Sequence, residues 1–186
     1  MNNILLAVVG LAGAGKTEST EYLIKKTSWP KVYFGQAVVD EANKRGMPGE
    51  TGERQVREEF RAKDGMAAMA IASLPKIKEL YAQGNVIIES LYSWEEYTKL
   101  KEEFREQFKV LAIYTSFNTR VKRMAVREIR PLNQQDLFTR DYSQIENLHQ
   151  AGPIARAEWT IVNEGSKEDL YKEIDNILEN LNESKN

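Results

Sequence analysis

Ile4-Leu5-Leu6-Ala7-Val8-Val9-Gly10-Leu11-Ala12-Gly13-Ala14-Gly15-Lys16-Thr17 is the stretch on which the reading of this chain turns. Aliphatic residues from Ile4 to Val9, with no polar alternation, describe a strand covered on both faces, as in the middle of a parallel sheet. Gly10 to Thr17 then satisfy G-x-x-x-x-G-K-[ST] at every position. The glycines let successive backbone N–H groups converge on phosphate oxygens, and a helix opening near Lys16 adds the positive end of its dipole. Lys16 brings a point charge to the β and γ phosphates, and the Thr17 hydroxyl is a ligand for Mg²⁺. The expected nucleotide contacts are therefore Gly10, Ala12, Gly13, Ala14, Gly15, Lys16, Thr17 and Glu18, with ATP and Mg²⁺ as the cofactors. A glycine-rich turn carrying a solvent-facing lysine is the plain alternative.

Working outward, the same apolar run has to be weighed as a targeting segment. A secretory signal needs positive charge before its apolar stretch, and here Lys16 follows it while only Met1, Asn2 and Asn3 precede it. The run is also broken by glycines and is far shorter than the roughly 20 residues that span a bilayer. The chain has 186 residues, which suits one domain able to bury a core. Its 26 Lys+Arg against 28 Asp+Glu leave a net charge of -2, so there is no bulk attraction to nucleic acid or to an anionic membrane. With no Cys, disulfides, thiolate metal sites and a cysteine nucleophile are excluded, and a cytoplasmic protein is expected.

Further apolar runs at Val32–Phe34, Val86–Ile88, Val110–Tyr114 and Trp159–Val162 bring the expected strands to five. Helical periodicity fills the intervals over Thr17–Lys26, Val38–Lys44, Glu53–Lys63, Met66–Ala82, Trp94–Phe108, Asn118–Ile129 and Glu168–Leu181. Pro75 predicts a break or kink. Ser166 followed by Asp169 reads as the cap of the last helix. Such alternation implies an α/β fold, an open parallel sheet with helices on both faces.

Three more features carry chemistry. Glu89 directly follows Val86-Ile87-Ile88, at the strand end where ligands bind in such sheets, and is the second expected Mg²⁺ ligand beside Thr17. Arg120, Arg123, Arg127 and Arg130 are spaced to share one face of a helix, Pro131 ends it, and a short connection leads to a further helix carrying Arg140. Cations closing over a nucleotide suit phosphoryl transfer, which builds charge on equatorial oxygens. A solvated basic face paired with Glu128 and Asp141 is the bland counterpart. Asn163-Glu164-Gly165 follows the fifth strand, where the Asn163 amide and the Gly165 backbone face a base, or simply make a turn. His149, the lone histidine, reads as a surface or satisfied group, and Trp94, Tyr92 and Tyr97 as packing or an acceptor-pocket wall.

Together these motifs resemble the P-loop nucleotide kinases, and within them the dephospho-coenzyme A kinase-like branch that includes adenylate kinase-related proteins. The resemblance runs from Ile4 to about Leu181 and is carried by Gly10–Thr17, Phe34-Gly35, Phe60–Ala67, Arg120, Arg123 and Val162–Ser166. It implies a three-layer α/β/α P-loop NTPase fold over residues 1–186, with a five-stranded parallel sheet and a helical lid at about 120–142. It also implies transfer of the γ-phosphoryl group of Mg-ATP to a small nucleotide-like acceptor, dephospho-coenzyme A or a nucleoside monophosphate. On that pattern Arg123 lies near the adenine, Arg127 or Arg130 belongs to the lid, and Arg61 is a candidate for acceptor contacts.

The chain departs from the pattern where relatives carry an acid and then an arginine after the second-strand glycine, since it has Gln36 and Val39. Gln36 at the acceptor site cannot take a proton, which leaves acid-base work to Asp40, one helical turn along, or to Glu89. A nucleotide-binding regulatory module that has drifted from catalysis is the competing reading. A GTPase switch lacks its N-K-x-D motif. The sequence leaves monomer and homo-oligomer open.

Overall fold

The computed structural model describes residues 3–128 and 131–183. Strands β1 (Leu5–Val9), β2 (Lys31–Tyr33), β3 (Val86–Glu89), β4 (Phe108–Tyr114) and β5 (Trp159–Val162) form one sheet in the order β2-β3-β1-β4-β5. Every pairing is parallel, with Leu5 beside Val86 on one side and Phe108 on the other. Helices α1 (Lys16–Thr27), α2 (Gln36–Lys44), α3 (Glu50–Asp64), α4 (Ala68–Tyr81), α5 (Trp94–Phe104), α6 (Phe117–Ala125), α7 (Gln134–Glu146), α8 (Ala151–Ala155) and α9 (Lys167–Glu183) connect them.

Strand side chains alternate between two cores, as the two-residue period of a strand requires. Leu5, Ala7 and Val9 join Ile88, Val110 and Ala112 against Val38, Val56, Ile77 and Leu100 from α2 to α5. Leu6 and Val8 join Ile87, Leu111 and Ile113 against Leu23 of α1 and Leu170 and Ile174 of α9. Helices on both faces of a five-stranded parallel sheet confirm the three-layer α/β/α P-loop NTPase fold. The crevice beyond the carboxyl end of β1, between chain passing to β3 and to β4, is where such sheets place ligands.

Local chemistry sets the helix ends. Ser93 Oγ accepts from Glu96 N–H at 2.9 Å while Glu96 Oε2 accepts from Ser93 N–H at 3.0 Å, a reciprocal cap on α5. Ser166 and Asp169 exchange the same pair of bonds ahead of α9. Two expected helix ends are corrected, and the reading at Pro75 is settled against a break. Helix α5 stops at Phe104, and Phe108, read as its end, opens β4 fully buried beside Leu5. Pro75 lies inside a continuous α4, whose buried Ala70, Ser73 and Ile77 hold it to the core without the bond a proline cannot donate. Helix α6 ends at Ala125, short of the predicted Ile129, so Arg127 lies past its end and Arg130 falls outside the described residues. The short α8 carries no periodicity to announce it.

Candidate functional site

Gly10, Gly13 and Gly15 all take positive φ, at 147°, 79° and 107°, and so bend the chain into a cup between β1 and α1. At Gly15 the need is also spatial, because a Cβ there would stand 2.4 Å from Asn163 Nδ2. Lys16 Nζ donates to the carbonyls of Gly10 at 2.7 Å and Leu11 at 3.0 Å, folding its charge back over the cup. Burial, followed by repulsion from Arg140, Arg120 and Arg127, pushes the Lys16 ammonium down to about 8. Its charge is thus enclosed, unlike that of a solvent-facing lysine.

Behind the cup lies a polar scaffold. Arg120 grips Asp141 at two points, 2.8 and 2.6 Å, while its Nη1 also donates to Ala12 O at 3.0 Å and its Nε to Thr115 O at 3.1 Å. Gln144 Oε1 accepts from Ala12 N–H at 3.3 Å, and Gln150 Nε2 donates to Gly10 O at 3.1 Å. The Thr115 hydroxyl and the Asn163 amide both donate to Ala14 O, at 2.9 and 2.8 Å. All six side chains are buried. Arg120, expected among four cations on an open helix face, is 4% exposed and is instead a structural member of the loop's support.

The open side of the cup is a cavity of about 430 Å³ that brings together Lys16, Thr17, Arg123, Arg127, Arg140 and Tyr92. A second cavity, about 410 Å³, shares Gly15, Glu18 and Arg123 with it and extends to Asn163, Gly165 and Lys167. Arg123 donates to Asn163 O at 3.0 Å and Gly165 O at 3.1 Å, and so ties α6 to the turn after β5. Glu18 is paired with Lys167 at 2.5 Å and accepts from the Tyr171 hydroxyl, and these two contacts hold its carboxyl below the usual range.

Glu89 ends β3, as the sequence indicates, with one oxygen 2.6 Å from Lys31 Nζ. Its other oxygen and the exposed Thr17 hydroxyl are hard oxygen donors at the same sheet edge, a set that suits Mg²⁺ completed by phosphate oxygens. No cluster of three His, Cys, Asp or Glu able to hold a metal by itself occurs among the described residues. Gln36 and Asp40 sit exposed on α2, where Gln36 Nε2 donates to Asp40 Oδ1 at 2.8 Å. Arg61, on α3, is half-buried near Glu96. None of these three lines the two cavities at the cup. His149 Nδ1 meets Glu95 at 3.1 Å, and Trp94 stacks on Tyr97 with centroids 5.0 Å apart.

Sequence reasoning missed Gln144, Gln150 and Thr115, whose roles depend on contacts across the fold and leave no local pattern. It noticed Arg140 and Tyr92 without placing them at the phosphate cavity.

A parallel sheet whose central strand opens through this glycine cup into α1 defines a protein of the P-loop NTPase fold. The chain belongs to the UPF0200 family, and residues 6–149 match the AAA domain. A UPF0200 protein of Pyrococcus abyssi is 31% identical over 183 residues, covering 96% of this chain and 97% of its own. One from Methanocaldococcus jannaschii is 32% identical over 186 residues, with 96% and 90% covered. Among solved structures, TT1252 from Thermus thermophilus superposes with a TM-score of 0.62 at 18% identity over 97% of this chain and 99% of its own. A gluconokinase from Sinorhizobium meliloti gives 0.59 at 16% identity over 100% and 99%, and a shikimate kinase from Bacteroides thetaiotaomicron 0.59 at 14% over 95% and 98%. At such identities these structures are alike in fold. No helix among the described residues is long and apolar enough to cross a membrane.

Proposed function

We propose that the protein is a cytoplasmic small-molecule kinase that transfers the γ-phosphoryl group of Mg-ATP to a nucleotide-like acceptor, such as a nucleoside monophosphate or dephospho-coenzyme A. The observation that carries this reading is the meeting of Lys16, Arg127 and Arg140 around one cavity above the glycine cup. A module that only held a nucleotide would need the cup and Lys16. Two further guanidinium groups at the same place answer the charge that develops on a phosphoryl group in flight.

In this assignment the backbone N–H groups from Gly13 to Thr17 cradle the phosphates. Arg123, Asn163 and Gly165 shape the nucleoside end of the site. Thr17 and Glu89 would hold Mg²⁺, which neutralises the β and γ oxygens when bound. The acceptor enters from the side of α2 and α3, where Asp40 takes the acceptor proton and Gln36 and Arg61 orient it. The cover over the phosphates is assigned to α6 and α7 through Arg127 and Arg140, with Arg130 added from the sequence pattern alone, while Arg120 supports the loop from behind.

One observation favours the competing reading of a drifted nucleotide-binding module, namely that the Asp40 carboxylate is occupied by the Gln36 amide at 2.8 Å. The two readings part in one experiment: phosphoryl transfer from labelled Mg-ATP over a panel of nucleoside monophosphates, dephospho-coenzyme A and small polyhydroxy acids, with Lys16→Ala as the blank. Transfer to one acceptor class supports the kinase. Tight Mg-ATP binding without transfer to any of them rejects it in favour of the module.

A further inference from the structure

Helix α7 buries Leu137, Asp141 and Gln144, yet leaves Phe138, Tyr142 and Ile145 exposed at 49, 54 and 43%. Spacings of four and three put these apolar residues in a single stripe, about 100° round the helix from the buried row. The stripe does not end on the helix. Phe138 stands 5.4 Å from Tyr142 and 6.5 Å from Phe117, ring centre to ring centre. Ile145 and Phe117 in turn border an apolar cavity of about 380 Å³ shared with Tyr114, Ala151 and Ile154. Tyr114 and its register partner Val162 are 53 and 65% exposed, because the element packed on this end of β4 is the five-residue α8.

A continuous aromatic surface of this kind is unlike the scattered apolar residues of an ordinary protein exterior and marks a place of contact. At about 200 Å² for a large side chain, half exposed, the five residues leave roughly 500 Å² bare. A stable dimer buries about 800 Å² on each partner, so the patch with its polar border is the right size for one such half-interface. The flanks decide the occupant. Along α7 the neighbours Gln134, Gln135 and Thr139 are uncharged, and among the described residues of that helix Glu146 is the one exposed charge beside the stripe. A strongly acidic or basic partner finds nothing to pair with, whereas two identical faces meet without a row of like charges. The four-three spacing is also that of a helix-helix seam, which is self-complementary when two copies run antiparallel.

We propose that this face docks a second copy of the chain, α7 against α7 across a two-fold axis. The consequence reaches the phosphate cavity. Arg140 leaves α7 on the other flank of its buried row and lines that cavity, so a partner seated on the stripe also steadies the helix that carries this arginine.

Sedimentation equilibrium on the full chain tests this, and is independent of whether the protein is a kinase. The native chain is expected to dimerise at micromolar concentration. The double variant Phe138→Glu/Tyr142→Glu should raise the dimer dissociation constant by roughly a hundredfold or more, since each change acts twice on a two-fold interface, and should melt as the parent does at concentrations where both are monomeric, because both positions are exposed. The chain has no Cys, so Tyr142→Cys introduces a unique thiol. Oxidation should link it into covalent dimers, while Lys76→Cys on α4 should not link. A native chain that stays monomeric to hundreds of micromolar overturns the proposal and leaves the face to a different protein partner. A dimer unweakened in the double variant overturns it as well.

Discussion

Arg120 and Asp141 lock together at two points, Nη1 to Oδ1 at 2.8 Å and Nη2 to Oδ2 at 2.6 Å, and the same Nη1 reaches the carbonyl of Ala12 in the phosphate loop. The pair thus fixes α6, α7 and the glycine cup to one another. Its energetic meaning lies in what each partner becomes when the other is removed, since a buried charge without its counter-ion is costly.

Arg120→Ala should therefore destabilise the protein by about 3–5 kcal/mol in urea unfolding. The double variant Arg120→Met/Asp141→Leu should recover most of that loss, because an apolar pair of similar volume often replaces a buried ion pair at little cost. ATP affinity should stay weak in both, as neither returns a donor to the Ala12 carbonyl. Recovery of stability together with affinity would show that the pair has no part in shaping the cup.

Gly15→Ala places a methyl group 2.4 Å from the Asn163 amide nitrogen, at a φ of +107° that an alanine rarely adopts. The expected outcome is a loss of about 2–3 kcal/mol in stability, with nucleotide binding abolished. Asn163→Ala in the same chain removes the collision while keeping the backbone strain, so it should restore part of the stability and none of the binding. Calorimetric melts and ATP titrations of the single and double variants check this.

The enclosed Lys16 gives the site a pH dependence. Its ammonium sits at about 8 in the folded protein against an ordinary 10.5, so the unfolded chain binds more protons between those values. Without nucleotide, stability should rise with pH across that interval. Nucleotide binding draws on the charged lysine and should show the opposite trend, weakening as pH climbs past 8, towards tenfold per pH unit at the limit. Lys16→Arg keeps its charge throughout and should flatten the decline. Titration calorimetry from about pH 7 to about pH 10 reads both.

Glu96 predicts a second pH effect, away from the phosphates. Burial pushes its carboxyl up to about 7 from an ordinary 4.5, against the pull of the Ser93 and Tyr92 N–H groups and of Arg61. The folded state holds this proton more tightly than the unfolded one. Its contribution is full below pH 4.5 and is lost as pH rises to 7, a change of about 3 kcal/mol. Glu96→Gln, which still accepts from both N–H groups, should remove that slope from chemical unfolding measured between the two pH values.

The fold was legible because it is written locally. Leu5–Val9 and Val86–Ile88 are short aliphatic runs of the kind that a sheet covered on both faces explains, and the glycine cup is a contiguous motif. The ends of α5 and α6 were not legible, because helical periodicity runs on through residues that tertiary contacts reassign: Phe108 goes to β4 by pairing with Leu5. Arg120 shows the same limit within the site. Its spacing from Arg123 and Arg127 fits an open cationic face equally well, and only its meeting with Asp141, 21 residues away, turns it inward. Arg140 and Tyr92 reach the phosphate cavity from opposite halves of the chain and share no spacing that a sequence could display.

The bonds that hold the cup from behind join residues far apart along the chain. Ala12 and Gln144 are separated by 132 positions, Gly10 and Gln150 by 140, and Ala14 and Asn163 by 149. The motif leaves the ribosome more than a hundred residues ahead of these supports, so a growing chain carries the glycines long before it can hold them in shape. Nucleotide capture therefore reports that synthesis has passed Asn163: a chain arrested ahead of Gln144 should display an intact Gly10–Thr17 segment that grips no triphosphate.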